Sequence, residues 1–405
     1  MKYLSLFSGI GGFELGIKQA YEELQDGEGL RGLRQEESLS ERPMPDSSSQ
    51  SDKRQYPTCI GFSEIDKYAT QVYNKQFNHK NYGDITKINE KELPDFDLLV
   101  GGFPCQSFSI AGLRKGFEDT RGTLFFEIAR IIREKQPRLL LLENVKGLLS
   151  HDKGSTFHTI ISTLDELGYD CQWQVLNSKN FGVPQNRERV FIVGHLRGTS
   201  RPEVFPIGGA TKQANKNVFI GIDNYRREGK LREYKGVCPT LNTNNGGQRT
   251  PCTIVKPVLT PDRPNKRQNG RRFKENGEPS FTLTAQDKHG VMIKEATKKG
   301  YAEANEGDSI NLSVPNSKTR RGRVGKGIAQ TIDTGMQQHT LQDAKIRRLT
   351  PTECERLQGF PDGWTAKGIN EKGEEVDISD SQRYKMCGNA VTVNVIKEIM
   401  LKLIK

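Results

Sequence analysis

The chain lacks the cysteine spacings that build metal sites or disulfide scaffolds. Its seven cysteines, at 59, 105, 171, 238, 252, 354 and 387, are odd in number and scattered, and no CxxC pair occurs. A disulfide-stapled secreted scaffold and a cysteine-based zinc site are thereby excluded, and no metal is expected. Long apolar runs are missing too. None approaches the roughly 20 residues of a membrane span, so no membrane partner is expected. The opening "MKYLSLFSG" enters a glycine-rich turn instead of a signal-peptide core. These absences together predict a reducing, cytoplasmic setting. Tryptophan is scarce, with two residues, and mean hydropathy is −0.68, so part of the length reads as polar loop. At 405 residues there is still enough chain for a sizeable core and more than one domain.

Charge is present in excess and unevenly placed. The net charge is +11. Residues 211–350 hold 27 Lys plus Arg against 13 Asp plus Glu, a surplus of 14, which leaves −3 for the rest. One segment therefore carries the whole basic excess, as a polyanion-binding region would. A lysine-rich solvated surface would look the same by charge alone.

The first third alternates apolar runs with helical spacing. "YLSLF" (3–7), "CIGFSE" (59–64), "FDLLV" (96–100), "RLLLLENV" (138–145) and "RVFIVGHL" (189–196) read as strands, several of them near-continuously apolar. Such runs suit parallel strands covered on both faces. "GFELGIKQAYEEL", "KYATQVYNKQF" and "GTLFFEIARIIREKQ" read as the intervening helices. The pattern predicts a doubly wound α/β sheet of Rossmann-like type. Residues 22–57, rich in Ser, Gly, Pro and charge, read as an inserted loop. After Leu196 the helical period disappears. Thr-rich units at Cys238, Pro279 and Ile328 suggest short strands with long turns, hence a second, smaller, strand- and loop-rich domain. From Arg347 the texture tightens. "RRLTPTECERLQGF" carries a capping box, Thr350 with Glu353, and "GNAVTVNVIKEIMLKLIK" reads as a closing amphipathic helix. The expected division is 1–197 for the cofactor-binding domain, 198–345 for the second domain and 346–405 for a return segment whose last helix rejoins the first.

Four stretches carry chemistry. "LFSGIGGFELG" is a strand, a glycine-rich turn and a helix start, which lets backbone approach a ligand. It is not a P-loop, and Glu14 stands where a dinucleotide fingerprint has its third glycine. An acidic residue about 20 residues on should take ribose hydroxyls. Glu64 follows Gly12 by 52 residues, or by 16 without the 36-residue insert. "GGFPCQSFS" places Cys105 just after an apolar strand. A cysteine there is more often a small buried hydrophobe than a nucleophile. "ENV" places Glu143 directly after "RLLLL", where a buried carboxylate would need a partner; its plainer alternative is a surface helix cap. In "PQNRERVFIVG", Gln185, Arg187 and Arg189 alternate, so they should share one face. Two arginines there suit an anion, or a strand-edge salt bridge.

The ordered set "FSGIGG", "GGFPCQSFS", "ENV", "QNRERVFIVG", "RRLTPTECERLQGFPDGW" and "GNAVTVNV" resembles that of the DNA cytosine-5 methyltransferases of bacterial and phage restriction–modification type. It spans the chain except for the insert and the basic segment, where that family carries its target-recognition region. The resemblance implies S-adenosylmethionine as methyl donor and a flipped-out cytosine in duplex DNA as acceptor. It implies catalytic roles for Cys105, Glu143, Arg187 and Arg189. It implies a cofactor pocket at Phe7, Gly9, Gly11, Phe13, Glu64, Ile65, Asp84, Ile85, Pro104, Leu124, Asn389 and Val391, and substrate or DNA contacts at Gln106, Ser109, Asn144, Gln185 and Thr331. "QSFSIAGLRKGFEDTRG" resembles the family's mobile loop. A monomer of the prokaryotic cytoplasm completes the expectation; the motifs suit equally an enzyme with a cognate restriction endonuclease as partner and a solitary or phage-encoded one.

Two departures are visible: the insert near the cofactor edge, and "INEKGEEVD" (369–377) between the last two motifs. Two other readings compete. A tRNA cytosine methyltransferase on the same scaffold would carry a smaller recognition region than 211–350. A catalytically silent DNA-binding protein would not need Cys105, Glu143 and Arg189 together. A thiol hydrolase is disfavoured because His79, His151 and His158 suggest no pairing with the thiol.

Overall fold

The computed structural model describes residues 1–36, 56–104, 124–208, 256–259, 289–313, 317, 319–332, 334, 338–342 and 345–404. Cys105, Gln106, Ser109, all of the expected mobile loop, the Thr-rich unit at Cys238 and most of the one at Pro279 lie outside these residues.

The first domain is built from β1 (Lys2–Leu6), α1 (Gly12–Glu36), β2 (Thr58–Ser63), α2 (Lys67–Gln76), β3 (Leu98–Gly102), α3 (Leu124–Lys135), β4 (Leu139–Val145), α4 (Ser155–Glu166), β5 (Tyr169–Asn177), β6 (Gln185–Asn186) and β7 (Glu188–Leu196). Six of the strands form one sheet in the order β2-β1-β3-β4-β7-β5. Successive strand residues point to opposite faces, and both faces are covered. Leu99, Leu140 and Leu142 pack with Ile128, Ile131 and Ile160 from α3 and α4. Leu98, Val100, Leu139 and Leu141 pack on the other side with Phe13 and Ile17 of α1 and with Ile396 and Ile399. Two-sided burial is why these strands read as unbroken apolar runs instead of alternating ones.

The sheet is not wholly parallel. β1, β2, β3 and β4 run parallel, while β7 is antiparallel to both β4 and β5. Only residues 178–187 join β5 to β7. A parallel crossover needs a dozen or more residues, so the chain turns back and inserts β7 between β4 and β5. This reversal places the start of β7 at the edge where the parallel strands end, with Val145 opposite Arg189. α1 continues to Glu36 and takes in the first part of the expected insert loop. Residues 22–36 are rich in Glu, Leu, Gln and Arg, all good helix formers, which outweigh their three glycines.

Beyond Leu196 the described strands are β8 (Lys256–Leu259), β9 (His289–Lys294), β10 (Tyr301–Ala304), β11 (Ser309–Asn311), β12 (Val324–Gly325), β13 (Ala329–Gln330), β14 (Gln338–Gln342) and β15 (Lys345–Arg348). They form two small antiparallel sheets, β10-β9-β8 and β12-β11-β14-β15. β13 lies outside these two sheets and pairs in parallel with β6.

The return segment holds α5 (Pro351–Gln358), β16 (Lys367–Ile369), β17 (Glu375–Asp377), α6 (Asp380–Asn389) and α7 (Val393–Leu403). α5 carries the Thr350–Glu353 capping box. The lengthened stretch 369–377 closes the β16–β17 hairpin, which is tied to α2 through Lys75 and Glu375. The closing helix is two helices, not one. Ala390 and Thr392 are extended, and the β-branched run Val391–Val393 favours that break. The break leaves Asn389 at the end of α6. No helix among the described residues is long and apolar enough to cross a membrane.

Candidate active site

The parallel strands β1, β2, β3 and β4 end at one edge of the sheet, and β7 begins there. β1 ends in the glycine-rich turn. Phe7 and Gly9 lie at positive φ, 54° and 55°, and Gly11 at 86°. A Cβ on Gly11 would lie 2.4 Å from Phe77 Cε2, so the turn tolerates no side chain there. The Gly9 N–H donates to Glu64 Oε2 at 2.9 Å, joining the end of β1 to the end of β2. The N–H groups of Ile65 and Asp66 donate to the other oxygen, Oε1. Burial raises the Glu64 pKa against these hydrogen bonds. The carboxylate is thus fixed in orientation and short of water, ready for hydroxyl donors.

Glu143 stands near the end of β4, opposite Gly102 in register. It is 8% exposed. Arg189 Nε lies 3.0 Å from its Oε1. Burial pushes the Glu143 pKa up, while Arg189 and then Arg187 pull against it, and the net shift is upward. Such a carboxyl holds a proton longer than an exposed one, so it can donate to a ring nitrogen or accept from an amine.

A cleft of about 340 Å³ joins these groups. Of the expected cofactor residues, Phe7, Gly9, Glu64, Pro104 and Asn389 line it, together with Glu143, Asn144, Arg187 and Arg189. The described chain stops at Pro104 in this wall, one residue before Cys105. Phe13, Ile85 and Val391 are buried in the core instead. Gly11 faces Phe77. Leu124 opens α3 and packs against the core. Asp84 caps the 3-10 turn Ile85–Lys87, and its hydrogen bonds with Thr86 hold its carboxyl below the usual value. Ile65 is 77% exposed and follows Glu64 directly.

Three expected contact residues are occupied by the protein itself. Gln185 is fully buried: its amide donates to Leu357 O at 2.7 Å, and its Oε1 accepts from the Ile332 N–H. The Asn144 amide donates to Phe103 O, which locks the end of β3 to the end of β4. The Thr331 hydroxyl donates to Asn186 O at 2.9 Å. Arg187 lines the cleft, but Nη1 donates to Ile332 O and Nη2 to Gly388 O and Ala390 O.

Several positioning residues escaped the sequence reading. Asp66 caps α2, lines the cleft and pairs with Lys385 of α6 at 2.7 Å, which ties two walls together. An Asp just before a helical run is an N-cap signal and marks it. Trp364 Nε1 donates to Ile10 O at 2.9 Å and holds the glycine-rich turn from the return segment. No local pattern announces that contact. Glu14, in place of the third glycine, is buried, and it accepts from the Tyr73 hydroxyl at 3.0 Å. Burial lifts its pKa to about 7. Here α1 meets a tyrosine of α2, so the closeness that a third glycine would permit is not needed.

The donor set fits S-adenosylmethionine. Glu64 offers a carboxylate for the ribose diol, and nothing lies within 4 Å of a Cβ built on Gly9. Ile65 presents an apolar side chain, and Asn389 an amide at the far wall.

Comparison with known proteins gives the family. Residues 1–405 match the family model described as C-5 cytosine-specific DNA methylase. The chain is 32% identical over 510 residues to the orphan methyltransferase M.SPRI of Bacillus phage SPR, covering 100% of this chain and 97% of that one. It is 37% identical over 348 residues to the type II methyltransferase M1.ScrFI of Lactococcus lactis subsp. cremoris, covering 85% of this chain and 71% of the relative. Among solved structures, the Entamoeba histolytica methyltransferase EhMeth aligns with a TM-score of 0.51 at 15% identity, covering 100% of this chain and 99% of that one. The S. pombe Dnmt2 methyltransferase aligns at 0.52 and 14%, with the same coverage. These two likenesses are of fold.

Proposed function

The chain belongs to the C-5 cytosine-specific DNA methylase family, and from that membership we propose how its own residues carry the reaction. The enzyme transfers a methyl group to carbon 5 of cytosine in DNA through a covalent cysteine adduct, as the family does. S-adenosylmethionine supplies the methyl group as an electrophile on a sulfonium.

Carbon 5 of cytosine is a poor nucleophile. The Cys105 thiolate adds to carbon 6, and the electron pair moves toward carbon 5. Glu143 hydrogen-bonds ring nitrogen 3 and the exocyclic amine, which draws charge out of the ring as the sulfur–carbon bond forms. Arg189 holds Glu143 in place and contacts the base. Carbon 5 would then take the methyl group as the bond from that group to the sulfonium breaks, leaving a neutral thioether. Loss of the carbon 5 proton to solvent would expel the thiolate and restore the ring. The target atom is unreachable in a stacked duplex, so the base is flipped into the cleft. Phe7, Gly9, Glu64 and Asn389 hold the cofactor, with Ile65 beside them. The observation that supports this reading most is Glu143, buried, held by Arg189 and in register with the end of β3 that leads to Cys105.

The proposal extends to the domains. Residues 1–197 bind cofactor and base, 198–345 read the DNA sequence, and 346–405 return to complete the cofactor site. The basic surplus of residues 211–350 supports the middle assignment. The enzyme acts as a monomer on duplex DNA in the prokaryotic cytoplasm. A partner endonuclease is part of the proposal; the relatives' names include both type II and orphan methyltransferases.

Two measurements test this. Purified protein with labelled S-adenosylmethionine should label duplex DNA, and transfer to tRNA alone would sink the reading. Exchanging residues 211–345 for those of another family member should change the sequence methylated and leave the reaction intact. Unchanged specificity would refute the domain assignment.

A further inference from the structure

Arg187 is 3% exposed, and its guanidinium is spent on backbone. Nη2 donates to Ala390 O at 2.8 Å and to Gly388 O at 3.2 Å, the carbonyls on either side of Asn389. Nη1 donates to Ile332 O at 3.3 Å. Ile332 follows β13, the strand that comes in from the small sheets to pair with β6. The Ile332 N–H is held as well, by Gln185. Gln358 supports the same turn from below, donating to Cys387 O at 2.7 Å and Ala390 O at 3.3 Å. Only Nε and one Nη1 hydrogen of Arg187 are left, and Nε has no partner among the described residues.

We propose that Arg187 is a positioning residue for the cofactor: it holds the turn that carries Asn389 and ties that turn to the segment arriving from the recognition region. The inference rests on the assignment of Asn389 to the cofactor site. A planar fork suits the task, since it can serve two carbonyls at fixed spacing while a third is served from its other arm. Lysine has the charge but not the fork. The burial of Arg187 has the same sense. A guanidinium committed to carbonyls can leave water, whereas one that waits for substrate would stay hydrated. Its closeness to Glu143 is then electrostatic, adding to the field that opposes the upward shift of that carboxyl.

The test separates a cofactor role from a base role. Wild-type affinity for S-adenosylhomocysteine is measured first, without DNA. If wild type does not bind it, the cofactor assignment fails, and the inference with it. If wild type binds, Arg187→Lys should weaken binding by about tenfold, the loss expected of charge-assisted hydrogen bonds. Turnover at saturating cofactor should stay within about threefold, less than half a decade of rate. In an Asn389→Ala background the Arg187→Lys effect on affinity should largely disappear, because both act through one contact. Gln358→Met, outside the base pocket, should show the same split and serves if Arg187→Lys does not fold. Turnover falling by about 100-fold with affinity unchanged would place Arg187 on the base. Additive losses in the double variant would mean general destabilisation. Either result overturns the inference.

Discussion

Cys105→Ser should abolish methyl transfer, by about 10³-fold or more, the scale on which covalent enzymes lose activity with their nucleophile. The reason lies in the first step. Addition to carbon 6 needs an anionic, polarisable nucleophile. A free thiol with a pKa near 8.5 supplies a few per cent of thiolate at neutral pH, and neighbouring cations raise that share. Arg187 and Arg189 line the cleft whose wall includes Pro104. A serine hydroxyl stays neutral in the same field. The variant should still bind S-adenosylhomocysteine and duplex DNA, because neither contact needs the sulfur. It should form no denaturation-resistant complex with duplex carrying 5-fluorocytosine, where wild type does. That second readout reports bond formation alone. Appreciable transfer by the serine variant, or a stable complex from it, would remove Cys105 from the reaction.

The parts of this molecule that were legible in its sequence are those fixed by local pattern. The runs at 98–100 and 139–142 announced strands buried on both faces, and helices cover both. The Thr350–Glu353 box announced the start of α5. The place of Glu143 after "RLLLL" announced a buried carboxyl that would need a partner, and Arg189 is that partner. What was not legible depends on distant segments. The reversal of β7 follows from a short connection whose flanking strand, β5, has no clean alternation. The commitment of Gln185 to Leu357 and Ile332 joins residues more than 140 positions apart. Alternation put Gln185, Arg187 and Arg189 on one face; the two arginines line the cleft, and Gln185 is buried against Leu357 and Ile332. Alternation could not predict that one guanidinium turns to carbonyls while the other turns to Glu143. Trp364 reaching Ile10 is of the same kind. Sequence periodicity gives the face a side chain occupies, and only the fold gives the partner it meets there.

Glu143→Gln should lower turnover by about 10² to 10⁴-fold, the range for a group that moves a proton in the transition state. An amide can still donate to a ring nitrogen and accept from an amine, so ground-state recognition of cytosine should survive. What it cannot do is yield a proton as electrons move into the ring. Cofactor affinity without DNA should stay unchanged, since Glu64 and Asn389 are untouched. The pH profile is the sharper test. Burial sets the Glu143 pKa above the ordinary 4.5, against the pull of Arg189 and Arg187. The folded protein therefore holds this proton at pH values where an unfolded chain has released it. Stability from this group is complete below the unfolded pKa and is lost as pH rises through the folded one. Proton donation follows the same direction, so wild-type turnover should carry a limb that falls with rising pH through the raised pKa. In the glutamine variant that limb should be absent from the residual activity, while any rising limb from the Cys105 thiol remains. A variant that keeps both the wild-type rate and the falling limb would show that Glu143 orients the base without moving a proton.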